Sequence, residues 1–420
     1  LRRHKPGAAH SDRTSVARTA LITTRGSLRG ALAVLAAAIA AQVSVSALQQ
    51  GLPALGPILQ STFELDTAGT GLLLGIGSLG TAAAVLLWGR LTDHTSDRFV
   101  AVVGLSLTAA ALIGAGIGAS YGSLIGTAVG LIGAGLTAAA PTVALTKSIV
   151  RAFADTNRIG LAFGFRQAAV PLGGATAGLI LPLVALSISL AAALWTLAVL
   201  LLIAAGLVAG TVKSTRDRSQ ARPPLGPTPW RPVLPMFAAS ALYTITQIGV
   251  IALLTLYLVT ARGWAPESAA LAFALVMVTT VMLRVGIGYA ADRLPLRRVA
   301  LFRVTGLITA GLLLTAVATN AHPVTVVFLL LAAVMGMGWN SLTFTLTVSL
   351  VPADRMGTSQ GALNAVIFTS WGLAPIVTSR LVEATSWQVA WVFLAIASVL
   401  GAVIARANQQ PRPMAITDVH

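Results

Sequence analysis

The sequence contains no cysteine and few charged or aromatic residues. Without cysteine it can form no disulfide and offers no thiol nucleophile. Charged residues make up only 10% of the chain, whereas a soluble domain carries about a quarter. Hydrophobic residues make up 56%, and the mean hydropathy is +0.85. These values exclude a soluble globular protein and predict an integral membrane protein with many crossings.

Acidic residues are also scarce, with 12 Asp and Glu against 28 Lys and Arg, so the net charge is +16. A basic chain can indicate nucleic-acid binding. Here the basic residues lie in short loops between apolar runs, as in membrane proteins whose loop charges set their orientation. We therefore expect membrane lipid, and no nucleic acid, among the partners.

Twelve apolar segments are long enough to cross a bilayer, which takes about 20 residues each. We place these spans, numbered 1 to 12, near 29–56, 67–91, 98–119, 121–150, 158–184, 188–211, 233–261, 268–291, 298–318, 323–350, 356–383 and 387–406. The basic, proline-rich segment 212–232 is predicted to link two halves, 29–211 and 233–406. Residues 1–28 and 407–420 are polar tails, and we expect 1–28 to be disordered.

The two halves repeat each other in sequence. LTKSIV at 145–150 matches LTVSLV at 346–351, and NRIGLAFGFRQA at 157–168 matches DRMGTSQGALNA at 354–365. A third match joins GRLTDHTSDR, which begins at Gly89, to GYAADRLPLRR, which begins at Gly288. The three matches follow one another in the same order, which indicates two similar six-helix units.

The third match also resembles the loop signature of the major facilitator superfamily, found between helices 2 and 3 and between helices 8 and 9. The second copy follows the pattern closely, whereas the first departs from it where His94, Ser96 and Asp97 replace a basic residue, glycine and a basic residue. The resemblance implies a gating role for the matching residues, which are Gly89, Asp93, Arg98, Gly288, Asp292, Arg293, Arg297 and Arg298.

The resemblance implies an all-α membrane protein with twelve transmembrane helices in two pseudo-symmetric six-helix bundles. It further implies a bacterial secondary transporter that works by alternating access. Arginine and lysine are concentrated on one side of the predicted spans, which places both termini and the linker in the cytoplasm of a multi-pass protein of the inner (plasma) membrane.

Two arginines lie inside predicted spans. Arg166 follows Arg158 by eight residues in span 5, and Arg284 precedes Asp292 by eight residues in span 8. Each is therefore about 12 Å inside the cytoplasmic edge. In the resembled family, the stripe of helix 8 that carries Arg284 faces helix 5, so we expect both arginines to face one cavity.

No acidic residue lies in the interior of a predicted span, so neither arginine has a carboxylate partner there. Burying an arginine in a membrane is costly, and such a residue is usually functional. Its planar guanidinium can bind a carboxylate through two parallel hydrogen bonds. We predict that the pair binds an anion. The alternative is that at least one arginine is structural and bonds to helix carbonyls.

Further polar and aromatic residues lie within the spans. Each could contact substrate or make a hydrogen bond between helices. They are Gln167, Asn364, Trp371, Asn340, Gln49, Gln50, Tyr243 and Gln247.

We therefore expect a monomeric transporter of a small, carboxylate-type organic anion, with no cofactor or metal. An enzyme is not expected, because all five histidines lie outside the spans and no nucleophile or metal cluster is visible. The alternative is a drug or metabolite exporter working as a proton antiporter, since PLGGATAG at 171–178 partly resembles the helix-5 motif of such antiporters. Exchange, facilitated diffusion and proton symport all remain open, with exchange favoured.

Overall fold

A computed structural model describes residues 9–153, 159–213, 230–294, 297–319, 322–351 and 356–405. Within these residues, eleven helices are long and apolar enough to cross a membrane, and a shorter apolar helix at Pro323–Met335 belongs to a further span. This confirms the predicted all-α membrane protein with two six-span halves. The predicted linker lies mostly outside the described residues, and so does the tail 407–420.

The first half contains spans 1 to 6. Span 1 has three parts, and each of the others is one helix. In chain order the helices are Ala9–Gly51, the 3-10 helix Leu52–Leu55, Gly56–Thr62, Thr67–His94, Asp97–Ser120, Leu124–Ala152, Ile159–Ser187 and Leu190–Thr211.

The second half contains spans 7 to 12, of which span 10 is divided into two helices. In chain order the helices are Leu234–Thr260, Pro266–Arg293, Arg298–Ala318, His322–Met335 with Asn340–Ser349, Met356–Ala384 and Trp387–Ile404.

Two predictions about these elements were wrong. The predicted disordered tail is helical from Ala9 onward, because Ala, Leu and Arg favour helix and no proline interrupts 9–51. Span 10 is not one helix over 323–350. It breaks between Met335 and Asn340, where Gly336 and Gly338 favour a tight turn over a continuous helix.

Serine side chains begin several helices directly after short loops. Each serine hydroxyl accepts a hydrogen bond from the backbone N–H three residues later, which satisfies a donor that the helix itself leaves unpaired. The serines are Ser96, Ser123, Ser189 and Ser386. Asp66 caps span 2 in the same way through Gly69 N at 2.6 Å. These caps fix the sharp reversals between neighbouring spans.

The two halves meet mainly through span 2 against span 11 and span 5 against span 8. We call the side where span 6 ends and span 7 begins the linker face, and the opposite side the far face. Thr255 Oγ1 donates to Pro53 O at 2.7 Å, and Thr67 N donates to the side chain of Glu383 at 3.1 Å. Both hydrogen bonds join the halves near the far face.

Glycines allow this close approach near the far face. Side chains or backbone of the other half fill the position that a Cβ would take at Gly71, Gly75 and Gly178, and at Gly178 the atom is Phe273 Cδ1 at 2.5 Å. Toward the linker face of spans 5 and 8, a Cβ at Gly164 or Gly288 would meet nothing within 4 Å. The halves are therefore closely packed at the far face, whereas Gly164 and Gly288 toward the linker face have open space beside the backbone.

We predict that Gly178→Leu will push spans 5 and 8 apart at the far face, because the leucine side chain overlaps the Phe273 ring. Spin labels on Ser187→Cys and Ser268→Cys, in a chain with no native cysteine, measure the separation by electron double resonance. The matched control is Gly206→Leu, since a Cβ there meets nothing within 4 Å. Identical distance distributions in Gly178→Leu and the unsubstituted chain would contradict the prediction.

Candidate functional site

Arg166 is a buried charged side chain of span 5. It is 7% exposed, and both of its terminal nitrogens donate to span 4. Nη1 donates to Thr146 Oγ1 at 2.5 Å, and Nη2 donates to the Thr142 carbonyl oxygen at 2.5 Å. The two threonines are one helical turn apart, so they present both acceptors on one face of span 4.

These hydrogen bonds form a closed ring in which both partners of Arg166 are neutral groups. The Thr146 hydroxyl accepts a hydrogen bond from Arg166 and donates one to the Thr142 carbonyl oxygen at 2.8 Å. Among the described residues, no acidic side chain lies within ion-pair distance of Arg166. The predicted alternative, an arginine bonded to a helix carbonyl, is therefore observed at Arg166, but its positive charge remains uncompensated within this part of the chain.

A recess of about 140 Å³ borders the Arg166 side chain between spans 1, 4 and 5. Its polar lining comes from Gln42, whose Nε2 donates to Ser46 at 3.0 Å, and from Thr142. The rest of the lining is apolar and comprises Ala38, Ala41, Pro141 and Leu145. The guanidinium thus borders a small space whose lining is mostly apolar.

Arg284 is also buried, at 9% exposure, in the middle of span 8. It does not line the recess beside Arg166. Its neighbours Leu283 and Ile287 both contact Gly338, so this part of span 8 packs against the break in span 10. The two arginines are both buried, as their depth indicated, but their shared cavity stays a prediction.

The break in span 10 gathers a cluster of polar side chains that were predicted separately. The oxygen of Gln247 accepts from Trp339 Nε1 at 3.0 Å and from Asn340 Nδ2 at 2.8 Å. Tyr243 lies one turn before Gln247 but donates to the Phe302 carbonyl at 3.2 Å and stacks on the Phe302 ring. Gln247 and Asn340 thus form one site, whereas Tyr243 packs in the core of the second half.

The other predicted contacts are dispersed. Gln167 is exposed, and Asn364 and Gln49 are half-buried. Gln50 is 2% exposed between spans 5 and 8, where neither side-chain atom has a partner among the described residues. The ring centroid of Trp371 lies 6.3 Å from that of Phe368, and Trp371 packs against two of the hydrophobic core clusters.

The predicted gating residues lie at the linker face, and several have local partners. Arg293 stacks over the Tyr289 ring at 4.4 Å, and Arg298 Nε donates to the Ala291 carbonyl at 3.1 Å, near the end of span 8. Arg297 is exposed and Arg98 is half-buried, while Gly89 and Gly288 have open space around them. The side chains of Asp93 and Asp292 lie outside the part of the chain that the structure describes.

Sequence reasoning missed two sets of partners. Asp97, which departs from the resembled signature, is 2% exposed and accepts from Arg151 Nη2 at 2.5 Å and from the Ser148 hydroxyl. It thereby ties span 3 to span 4. The second set is Thr142 and Thr146, the partners of Arg166. Their spacing of four residues, directly after Pro141, places both on one face of span 4 and could have indicated them.

Comparison with known proteins agrees with this architecture. The family model of the Major Facilitator Superfamily matches residues 31–375. The uncharacterized MFS-type transporter Rv2994 of Mycobacterium tuberculosis (strain ATCC 25618 / H37Rv) is 27% identical over 346 residues, which cover 81% of this chain and 77% of that protein.

Solved structures show the same fold at low identity. A POT family transporter in complex with 5-aminolevulinic acid has a TM-score of 0.74 and 11% identity, covering 90% of this chain and 95% of that one. A bacterial homolog of the human lysosomal transporter Spinster, in an inward-facing and occupied conformation, has a TM-score of 0.67 and 16% identity. That alignment covers 89% of this chain and 94% of the homolog. With its two six-span halves, its repeated Gly-x-x-x-Asp loops and a family match over most of its length, the chain belongs to the Major Facilitator Superfamily.

Proposed function

We propose that this transporter moves a small organic anion of the carboxylate type across the inner membrane by alternating access, and that Arg166 binds the anion. The observation that carries the proposal is a guanidinium with 7% exposure whose described partners are all neutral. A buried positive charge without a counter-ion is costly in a membrane, and a bound anion removes much of that cost.

The guanidinium retains donors for a ligand. It carries five N–H groups, of which Thr142 and Thr146 engage one on each terminal nitrogen. The remaining N–H groups can form two parallel hydrogen bonds to a carboxylate, a geometry that lysine cannot reproduce. The threonines then act as positioning residues, because they hold the plane of the guanidinium in one orientation.

The side chains around the recess suit a small, partly apolar ligand. In this state the space between the surrounding atoms totals about 140 Å³ but is too narrow for a water molecule, so a small anion enters only as spans 1, 4 and 5 move apart. Ala38, Ala41 and Leu145 provide an apolar wall for the carbon atoms of an organic anion. Nothing among the described residues favours the alternative of a drug or metabolite exporter that works as a proton antiporter.

The proposed cycle begins with both bundles open toward the linker face, which we assign to the cytoplasm from its arginine and lysine content. In that state the far face is closed by the contacts of Gly71, Gly75 and Gly178. Binding at Arg166 neutralises the buried charge, and the bundles then rock to close the linker face and open the far face.

The assigned orientation predicts which positions an impermeant maleimide can reach from outside intact cells. We expect labelling of Ser268→Cys, next to the far end of span 8, and protection of Ser219→Cys in the linker until the cells are lysed. The chain has no native cysteine to give background labelling. The reverse pattern would show that the termini and linker are outside.

We predict that Arg166→Lys will reduce kcat/KM for transport of the anion at least about 10-fold, because lysine keeps the charge but loses the paired hydrogen bonds. Uptake into proteoliposomes measures the effect. The matched control is Arg380→Lys, an exposed arginine of span 11. If Arg166→Lys and Arg166→Ala proteins both transport at the unsubstituted rate, the anion does not bind at Arg166.

A further inference from the structure

The amide of Gln247 is nearly enclosed by spans 7 and 10. The residue is 3% exposed, and its oxygen accepts from both Trp339 and Asn340 at the break in span 10. The break exists because Gly336 and Gly338 end the helix that begins at His322. Gly336 also lies against the Gln247 backbone, since a Cβ added at Gly336 would be 3.7 Å from Gln247 Cα. Gln247 of span 7 thus contacts both the turn and the first residue of the second helix of span 10, and the hydroxyls of Ser240 and Thr343 join the same two helices at 2.6 Å.

The tryptophan decides which way the glutamine amide points. An indole N–H can only donate a hydrogen bond, so the Gln247 atom 3.0 Å from Trp339 Nε1 has to be the oxygen. The Gln247 NH2 group consequently points away from the indole. It makes no hydrogen bond to any residue of the described part of the chain.

The same reasoning then sets the orientation of Asn340. Because the Gln247 oxygen can only accept, the Asn340 atom 2.8 Å from it has to be Nδ2. That nitrogen also donates to the Met337 carbonyl at 3.2 Å, so both of its protons are in use. The Asn340 carbonyl oxygen is left as an acceptor with no partner among the described residues.

The two free ends have opposite hydrogen-bonding character and carry no charge. Gln247 offers two N–H donors, and Asn340 offers a carbonyl acceptor within roughly 7 Å of them by covalent geometry. A carboxylate would be repelled by the Asn340 oxygen. A hydroxyl or carboxamide group can accept from Gln247 and donate to Asn340 at the same time.

We propose that Gln247 and Asn340 form a neutral donor–acceptor subsite that binds a hydroxyl or carboxamide group of the transported molecule. The proposal rests on the proposed function in one respect, because the molecule whose hydroxyl or carboxamide group binds the subsite also binds Arg166 through its carboxylate. The transported class is then a hydroxy- or amido-carboxylate. Arg166 belongs to the first half and the subsite to the second, so a molecule bound at both contacts both moving bundles.

The test compares ligands that differ only in a hydroxyl and a methyl group. The carboxylate pairs are glycolate and propionate, 3-hydroxypropionate and butyrate, and 4-hydroxybutyrate and pentanoate. A neutral pair, 4-hydroxybutyramide and pentanamide, carries the same difference without the anion. Binding to purified protein is measured by calorimetry for the unsubstituted chain, for Gln247→Met and for the matched control Gln360→Met, whose amide donates to the Phe344 carbonyl.

We expect the unsubstituted chain to prefer the hydroxyl member of at least one pair by about 3- to 10-fold, as for a single well-made hydrogen bond. Gln247→Met should abolish that preference while leaving the affinity for the methyl member unchanged, and Gln360→Met should retain it. A merely structural role of Gln247 would instead weaken both members of a pair equally. Should Gln247→Met fail to fold, Trp339→Phe decides, because it keeps the glutamine but removes the donor that orients it and should reduce the preference.

Two results overturn the subsite. One is the absence of any hydroxyl preference in the unsubstituted chain, and the other is a preference of the same size in Gln247→Met or, where that variant does not fold, in Trp339→Phe. A preference that depends on Gln247 but is confined to the neutral pair supports the subsite and contradicts the anion site at Arg166. Carboxylate binding without any hydroxyl preference contradicts the subsite and supports the anion site at Arg166.

Discussion

A guanidinium enclosed among neutral oxygens is the constraint on which the proposed transport cycle depends. Placing an arginine at the centre of a membrane helix costs about 3 kcal/mol on insertion scales. The ring of Arg166, Thr146 and Thr142 satisfies hydrogen bonds of the side chain but supplies no negative charge. The guanidinium is therefore held in one orientation without a negative partner among the described residues, which is the condition under which an anion binds most favourably.

The glycine contacts at the far face provide the complementary mechanical element. Small residues let spans 2 and 11, and spans 5 and 8, approach each other closely. Packing and hydrogen bonds, such as that from Thr255 to the Pro53 carbonyl, stabilise this contact. Between the described residues, no ion pair joins the two halves. The contact can separate without exposing a buried charge to lipid.

Hydropathy and the internal repeat were sufficient to predict the spans and the two halves, and residue spacing was sufficient to predict that Arg166 and Arg284 are buried. The partners of Arg166 were not predictable, because they depend on how span 4 turns toward span 5. The break in span 10 was missed since apolar residues continue through Gly336 and Gly338, and hydropathy does not register helix continuity. Likewise, the polar composition of 1–28 hid a helical segment from Ala9, because composition reports burial more than backbone conformation.

The most direct test of the account is a thermal-shift screen of the purified protein against carboxylates, inorganic oxyanions and hydrophobic cations. A ligand that binds only the folded state at 100 times its Kd stabilises it by about 2.7 kcal/mol, which raises Tm measurably. The account predicts that small carboxylates raise Tm and that Thr146→Val, which leaves Arg166 in place but removes its hydroxyl partner, reduces the shift. Stabilisation by hydrophobic cations, with none by carboxylates or oxyanions, would contradict the anion site.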